Sequence, residues 1–216
     1  VLHWQGEVML QDDRSPRAKG MNDDHKILDE DYRLITGEKS ASIVMVRGHK
    51  ILLLENSMIH ITSLDEEPRV TLERGWMFSR TSMAADRKMQ FATPSGGFKV
   101  SNGSVLLMTG SGRTLAVVAD GGIYAGKNVF EAEDVVKEGH YVAISSSQAT
   151  RPASLTEEHK QHLKRYTRFF ENPFSEPNRA LISGSTAHQR RKEAEEKKKA
   201  ESKAKSKEKK GDEKQN

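Results

Sequence analysis

Residues 121–128, Gly-Gly-Ile-Tyr-Ala-Gly-Lys-Asn, fall one residue short of a phosphate-binding loop. That loop needs a Ser or Thr hydroxyl after the lysine to ligate magnesium, and it must open a helix whose N-terminus faces the phosphates. Asn128 has no hydroxyl, and Val129-Phe130-Glu131-Ala132 reads as another strand. The glycines are therefore expected to shape a β-turn, and no cofactor is expected. Glu157, Glu158, His159 and His162 lie within two helical turns. His159 and His162, three apart, share a face and carry metal-ligand chemistry. They lack the glutamate between two histidines four apart that marks the helical zinc signature. A charged helix surface is expected there, and no metal. Ser145-Ser146-Ser147 lacks the glycines of a nucleophile elbow. The carboxylate pairs Asp12-Asp13, Asp23-Asp24 and Glu66-Glu67 sit in polar, turn-like segments. They suit solvated loops or weak calcium contacts better than a glycosidase dyad, which needs two carboxyls across a cleft. No catalytic residue is assigned, and the chain is not expected to be an enzyme. The one candidate binding face is Trp76 with Phe78. The two flank Met77 and point to the same side of a regular strand, as core if covered and as a binding face if exposed.

The elements that would hold these residues are short and β-rich. Ser42–Val46, Ile51–Leu54, Met58–Thr62, Arg69–Glu73, Gly97–Val100, Val105–Met108, Leu115–Val118 and Tyr141–Ile144 are apolar or alternating segments rich in β-branched residues. Breakers separate them, among them Arg47-Gly48, Glu55-Asn56-Ser57, Arg74-Gly75, Asn102-Gly103, Ser111-Gly112 and Asp120-Gly121-Gly122. Such spacing predicts an all-β antiparallel sandwich or roll over residues 1–150. Residues 151–187 are expected to supply one helix and an irregular segment. Ser154 and Glu157 fit a capping box at the helix start. Leu155, Leu163, Tyr166 and Phe170 form a stripe that should lie on the β body, and Asn172-Pro173 closes the helix. Residues 188–216 are a Lys/Glu-rich tail with too little apolar surface to fold, expected to be disordered.

Charge follows the same division. The 216 residues contain 35 Lys/Arg and 31 Asp/Glu, a net of +4. Residues 188–216 hold 12 of the basic and 7 of the acidic side chains, which leaves the preceding 187 residues at −1. A nearly neutral body is a poor nucleic-acid platform, whereas the tail could touch an anionic surface. No cysteine is present, which excludes disulfides and thiolate chemistry without fixing the compartment. The longest aliphatic run, Ile51–Leu54, is far too short to cross a bilayer. The chain starts at Val1, so a leader is presumed removed or missing.

Taken in order, the breakers form a pattern. Gly6-Glu7-Val8 is followed by residues 32–41, Tyr-Arg-Leu-Ile-Thr-Gly-Glu-Lys-Ser-Ala. Gly48, Ile51–Ser57, residues 70–75 (Val-Thr-Leu-Glu-Arg-Gly) and residues 91–97 (Phe-Ala-Thr-Pro-Ser-Gly-Gly) come next. This order resembles the FecR domain of bacteria, named for the ferric-citrate regulator. That family shows a Thr-Gly-x-x-Ser turn, a strand ending in Asn-Ser, a Leu-x-x-Gly step and a Thr-Pro-x-Gly step. Gly139 before Tyr141–Ile144 resembles its closing strands, so the resemblance spans about residues 6–146. It implies an all-β extracytoplasmic domain without catalytic residues. The namesake type relays occupancy of an outer-membrane siderophore receptor to an anti-sigma segment inside the cell. This chain shows no anti-sigma region and no membrane helix ahead of the domain. The family's recurrent Thr, Gly, Asn and Pro positions read as turn chemistry.

The expectation is a non-catalytic module of the periplasm or cell envelope that binds an envelope protein or glycan. Three alternatives stay open. One is a relay protein that senses an outer-membrane receptor. Another is a cytoplasmic protein whose tail docks on RNA or ribosomes. The last is an enzyme acting on a polymer in a β cleft.

Overall fold

A computed structural model describes residues 3–15, 17–22, 28, 30–81, 88–145, 148–161 and 163–164. Expectations for Asp23-Asp24, Ser146-Ser147, His162, Tyr166, Phe170, Asn172-Pro173 and the 188–216 tail fall outside those residues. Among the described residues, fourteen strands follow in chain order: β1 (His3–Gln5), β2 (Val8–Asp12), β3 (Lys19–Gly20), β4 (Tyr32–Thr36), β5 (Ala41–Val46), β6 (His49–Leu53), β7 (Met58–Ser63), β8 (Arg69–Thr81), β9 (Met89–Thr93), β10 (Gly96–Gly110), β11 (Arg113–Gly126), β12 (Asp134–Lys137), β13 (His140–Ser145) and β14 (Ala153–Ser154). A short helix, α1, includes residues 157–161 and 163–164. The fold is all-β and antiparallel, as the strand spacing predicts, with one exception: Arg69–Thr71 of β8 run parallel to Gln90–Ala92 of β9.

The hydrogen-bonded order is β14-β13-β11-β10-β9-β8-β7-β4-β2-β3, with β12 on β11 and β1-β5-β6 joining at β8. Three long strands make this one sheet rather than two. β8 pairs with β7 and β9 before Gly75, and with β6 and β10 after it. β10 pairs with β9 over Gly96–Val100, then with β8 over Gly103–Thr109. Several residues expected to separate strands therefore bend continuous ones. Asn102-Gly103 and Gly121-Gly122 face each other across the β10–β11 ladder beside its register shifts, as bulges do when a strand turns a corner between layers. The actual hairpin turn is Ser111-Gly112, both at positive φ.

The two layers close on one core. Val70, Leu72, Phe91, Phe98 and Ile123 meet Val44, Ile51, Met77, Leu107 and Val118 there, all at most 2% exposed. Alternation sends the neighbouring residues of β5, β6, β8, β10 and β11 outward. They build a second apolar cluster of Ile43, Leu52, Phe78, Leu106 and Val117, joined by Leu155, just before α1, and Leu163 of α1.

A repeated clamp fixes the chain entering this second face. Glu38-Lys39-Ser40 and Glu55-Asn56-Ser57 turn the same way, with Lys39 and Asn56 at φ 55° and 54°. Each serine hydroxyl donates to the carbonyl two residues back, Glu38 at 3.1 Å and Glu55 at 3.0 Å. Each also accepts an amide from the residue after a positive-φ glycine: Glu7 N–H after Gly6, and Trp76 N–H after Gly75, both at 2.8 Å. A Cβ on Gly6 or Gly75 would lie 2.3 or 2.2 Å from that hydroxyl. The Thr-Gly-x-x-Ser and Asn-Ser steps are thus turn chemistry, and the second of them sets the position of Trp76.

The helix start differs from the capping-box expectation. Ser154 belongs to β14, and its hydroxyl pairs with His140 Nε2 at 3.1 Å. The cap is Thr156, whose hydroxyl accepts the His159 amide at 3.3 Å and whose carbonyl accepts the Lys160 amide at 3.0 Å. Ser154 is held by the ladder to β13, so the helix begins two residues later.

Candidate functional site

The register across the outer face of the second layer aligns one apolar residue per strand. Ile43 pairs with Leu52, Leu52 with Phe78, Phe78 with Leu106, Leu106 with Val117, and Val117 with Tyr141. The adjacent row runs Trp76, Met108, Leu115 and Ala143. A groove of about 510 Å³ opens over these rows, floored by Trp76, Leu106, Met108, Leu115, Val117 and Tyr141. Leu155, His159 and Leu163 form its wall.

Trp76 and Phe78 point to one side, yet their environments differ. Phe78 is fully buried and serves as core, whereas Trp76 is 44% exposed at the groove. The backbone of Trp76 is fixed on both sides: its N–H donates to Ser57 Oγ, and its carbonyl accepts the Leu54 amide at 3.1 Å. The groove therefore has an anchored indole, an apolar floor and a histidine on its wall. Such a surface suits an apolar or aromatic side chain from a partner. On the other side of α1 a second groove of about 450 Å³ presents Glu138, Glu157, Lys160 and Lys164. The Lys160 ammonium there pairs with Glu157 at 2.6 Å and holds the Glu157 carboxyl below the ordinary carboxylate range.

The opposite layer carries the only trio of potential metal ligands among the described residues, Asp13, Asp31 and His60, with one ligand atom of each within 4.8 Å of the others. Sequence reasoning put Asp13 in a solvated pair with Asp12, and nothing in one dimension linked it to His60. Arg33 and His60 are cross-strand partners on β4 and β7. The Arg33 guanidinium pairs with Asp13 and, at 2.7 Å, with Glu73. Its charge already meets that of Asp13, one of the trio. His60 Nε2 lies 3.3 Å from Asp13 Oδ2, close enough for an ion pair but without hydrogen-bond alignment.

Burial, reinforced by Arg33, holds the His60 imidazole below its ordinary value, with Glu73 and Asp31 opposing. The folded state thus resists the proton that the unfolded chain accepts near pH 6.5. The stability this supplies is complete above that value and is lost as pH falls toward the lowered folded-state value. Urea unfolding from pH 7.5 to 5 should show stability falling with acidification, and His60→Gln should flatten that slope. An unchanged slope in the variant would remove His60 as its source.

The near-match to a phosphate loop has a different explanation. Gly97 and Gly126 are opposite each other on β10 and β11. A Cβ on Gly97 would lie 2.0 Å from Val129 N, and one on Gly126 would lie 2.2 Å from Glu131 O. These glycines let the chain after β11 fold flat across the strands. Residues 129–132, expected to be a strand, form part of that turn instead. Asn128 accepts the Phe130 and Glu131 amides at 2.9 and 3.0 Å, and the next strand begins at Asp134. The turn lays Phe130, 71% exposed, against the Arg69 guanidinium at 4.9 Å.

No family model matches the chain, and no curated protein matches it. Solved structures do, two of them as follows. One crystal structure of a "putative anti-sigma factor" from Parabacteroides distasonis ATCC 8503 aligns with TM-score 0.50 at 12% identity, over 65% of this chain and 64% of that one. A second, of the same description and organism, aligns with TM-score 0.50 at 11% identity, over 62% and 64%. The alignment covers a little under two thirds of those chains, and at such identities the likeness is one of fold.

Proposed function

We propose that this chain is a non-catalytic, extracytoplasmic β module of the FecR type, and that it binds a protein of the cell envelope through the apolar groove beside Trp76. The observation that carries this reading is the row of apolar side chains crossing six strands on the outside of the sheet, left partly open between Trp76 and α1. A protein segment suits it better than a glycan. Its lining offers polar atoms only on Trp76, Tyr141 and His159, whereas a sugar's hydroxyls require many hydrogen bonds. The FecR-like order of turns and the fold shared with chains described as anti-sigma factors support a place in signal relay, with the module reporting the state of a membrane receptor. No part of this role requires a cofactor.

Met108→Glu tests it. Met108 is half-buried on the groove floor, so a carboxylate there should leave the core intact and set a charge where the partner's apolar side chain must sit. Site-specific photocrosslinking beside the groove in living cells should capture one envelope protein with the native chain. Met108→Glu should reduce that capture at least tenfold. Equal capture by both, or no captured envelope protein, would overturn the reading.

A further inference from the structure

The geometry points to an occupant for the groove within this same chain: residues 166–174, Tyr-Thr-Arg-Phe-Phe-Glu-Asn-Pro-Phe, which would act as a built-in competitor for the envelope partner. This rests on the groove being the working face, as argued above. Three observations support it.

The first is continuity. Leu163 lines the groove and is one of the last two described residues before the segment begins. The described chain therefore ends beside the groove. Seven residues separate Leu163 from Phe170, about 10 Å if helical and about 24 Å if extended. The groove spans β8, β10, β11 and β13, about 14 Å at the usual strand spacing. Either conformation brings the aromatic residues within reach of Trp76.

The second is chemistry. Of the thirteen aromatic residues in the chain, four (Tyr166, Phe169, Phe170 and Phe174) fall in these nine positions. They follow directly on a groove floored by Met, Leu, Val, Trp and Tyr side chains. Aromatic side chains against such a floor form the type of contact that dominates protein interfaces. His159 and Leu163 already face the groove four residues apart, and Tyr166 and Phe170 continue that spacing by three and four.

The third is concentration. A segment tethered so closely samples the groove at an effective concentration in the millimolar range. A weak contact is then enough to keep it occupied until a tighter ligand arrives. Partner binding must displace the segment, and displacement frees residues 166 onward. The groove would thereby be coupled to the charged tail that follows.

The chain has no cysteine, which makes a direct test clean. Met108→Cys with Phe170→Cys, in the full chain under mild oxidation, should form an intramolecular disulfide at least tenfold faster than Met108→Cys with Ser202→Cys. Equal rates would overturn the proposal, and so would a disulfide forming between two chains, which would make a second copy the occupant. In a Trp4→Phe background, acrylamide quenching of Trp76 should rise at least twofold when Tyr166, Phe169 and Phe170 are all changed to Ser. Unchanged quenching would also overturn it. Disulfide formation together with partner capture that ignores Met108→Glu would leave self-docking in place and sink the partner reading. The reverse pair of results would do the opposite.

Discussion

Phe78→Ala should lower unfolding free energy by about 3–5 kcal/mol, seen as a large drop in the urea midpoint with the slope unchanged. Phe78 is fully buried and pairs with Leu52 on one side and Leu106 on the other. It is the largest fully buried side chain in the row beneath the groove. Strands hydrogen-bonded on both sides cannot close around the cavity its loss would leave, because their spacing is set by the backbone ladders. Trp76→Ala, two residues away on the same side, should cost no more than about 1 kcal/mol and should abolish capture of the envelope partner. The contrast is informative because the two residues are indistinguishable by type and spacing. A loss for Trp76→Ala as large as that for Phe78→Ala would assign both to the core and remove the anchored indole from the binding face.

Gly97→Ala should be as damaging, at about 3 kcal/mol or more. The added carbon would press on the backbone of Asn128 and Val129 at 2.2 and 2.0 Å, and backbone cannot rotate away as a flexible side chain can. Relief requires lifting the turn after β11 off the strand below. Gly110→Ala is the matched control. Nothing lies within 4 Å of a Cβ there, and the change should stay within about 0.5 kcal/mol. Thermal melts of the two variants side by side decide the matter. A Gly97→Ala protein as stable as its control would show that the turn does not rest on the strand.

The strand content could be read from the sequence because it is a local property: alternation and β-branching mark each segment wherever it pairs. The continuity of β8, β10 and β11 could not. Gly75, Gly103 and Gly121 look like the ends of strands, and they are the bends of strands that change partners. A glycine at positive φ serves both purposes, and only the pairing on either side distinguishes them. The clamp serines illustrate the same limit from the other direction. Glu38-Lys39-Ser40 and Glu55-Asn56-Ser57 were legible as turns, while their amide donors, Glu7 and Trp76, come from distant parts of the sequence. For the candidate site, the Trp76–Phe78 pair was legible as a single face. Its division into a buried half and an exposed half depends on what the fold lays over each residue, which spacing alone does not carry. The Asp13–Arg33–His60–Glu73 network was not legible, because its members come from four separate segments brought together by the β2–β4–β7–β8 order.

The strands that run through both layers also limit where motion can occur. Because β8, β10 and β11 belong to both halves of the sandwich, neither half can rotate against the other without shearing ladders on both sides of the corner. Among the described residues these shared strands tie the two layers together. The elements paired along one edge only are β1, β3, β12 and β14. Of the segments beyond the shared strands, Leu155 and the helix that β14 leads into border the groove. Any message that this rigid frame conveys must therefore leave it as a change in what the helix and the residues beyond it are touching.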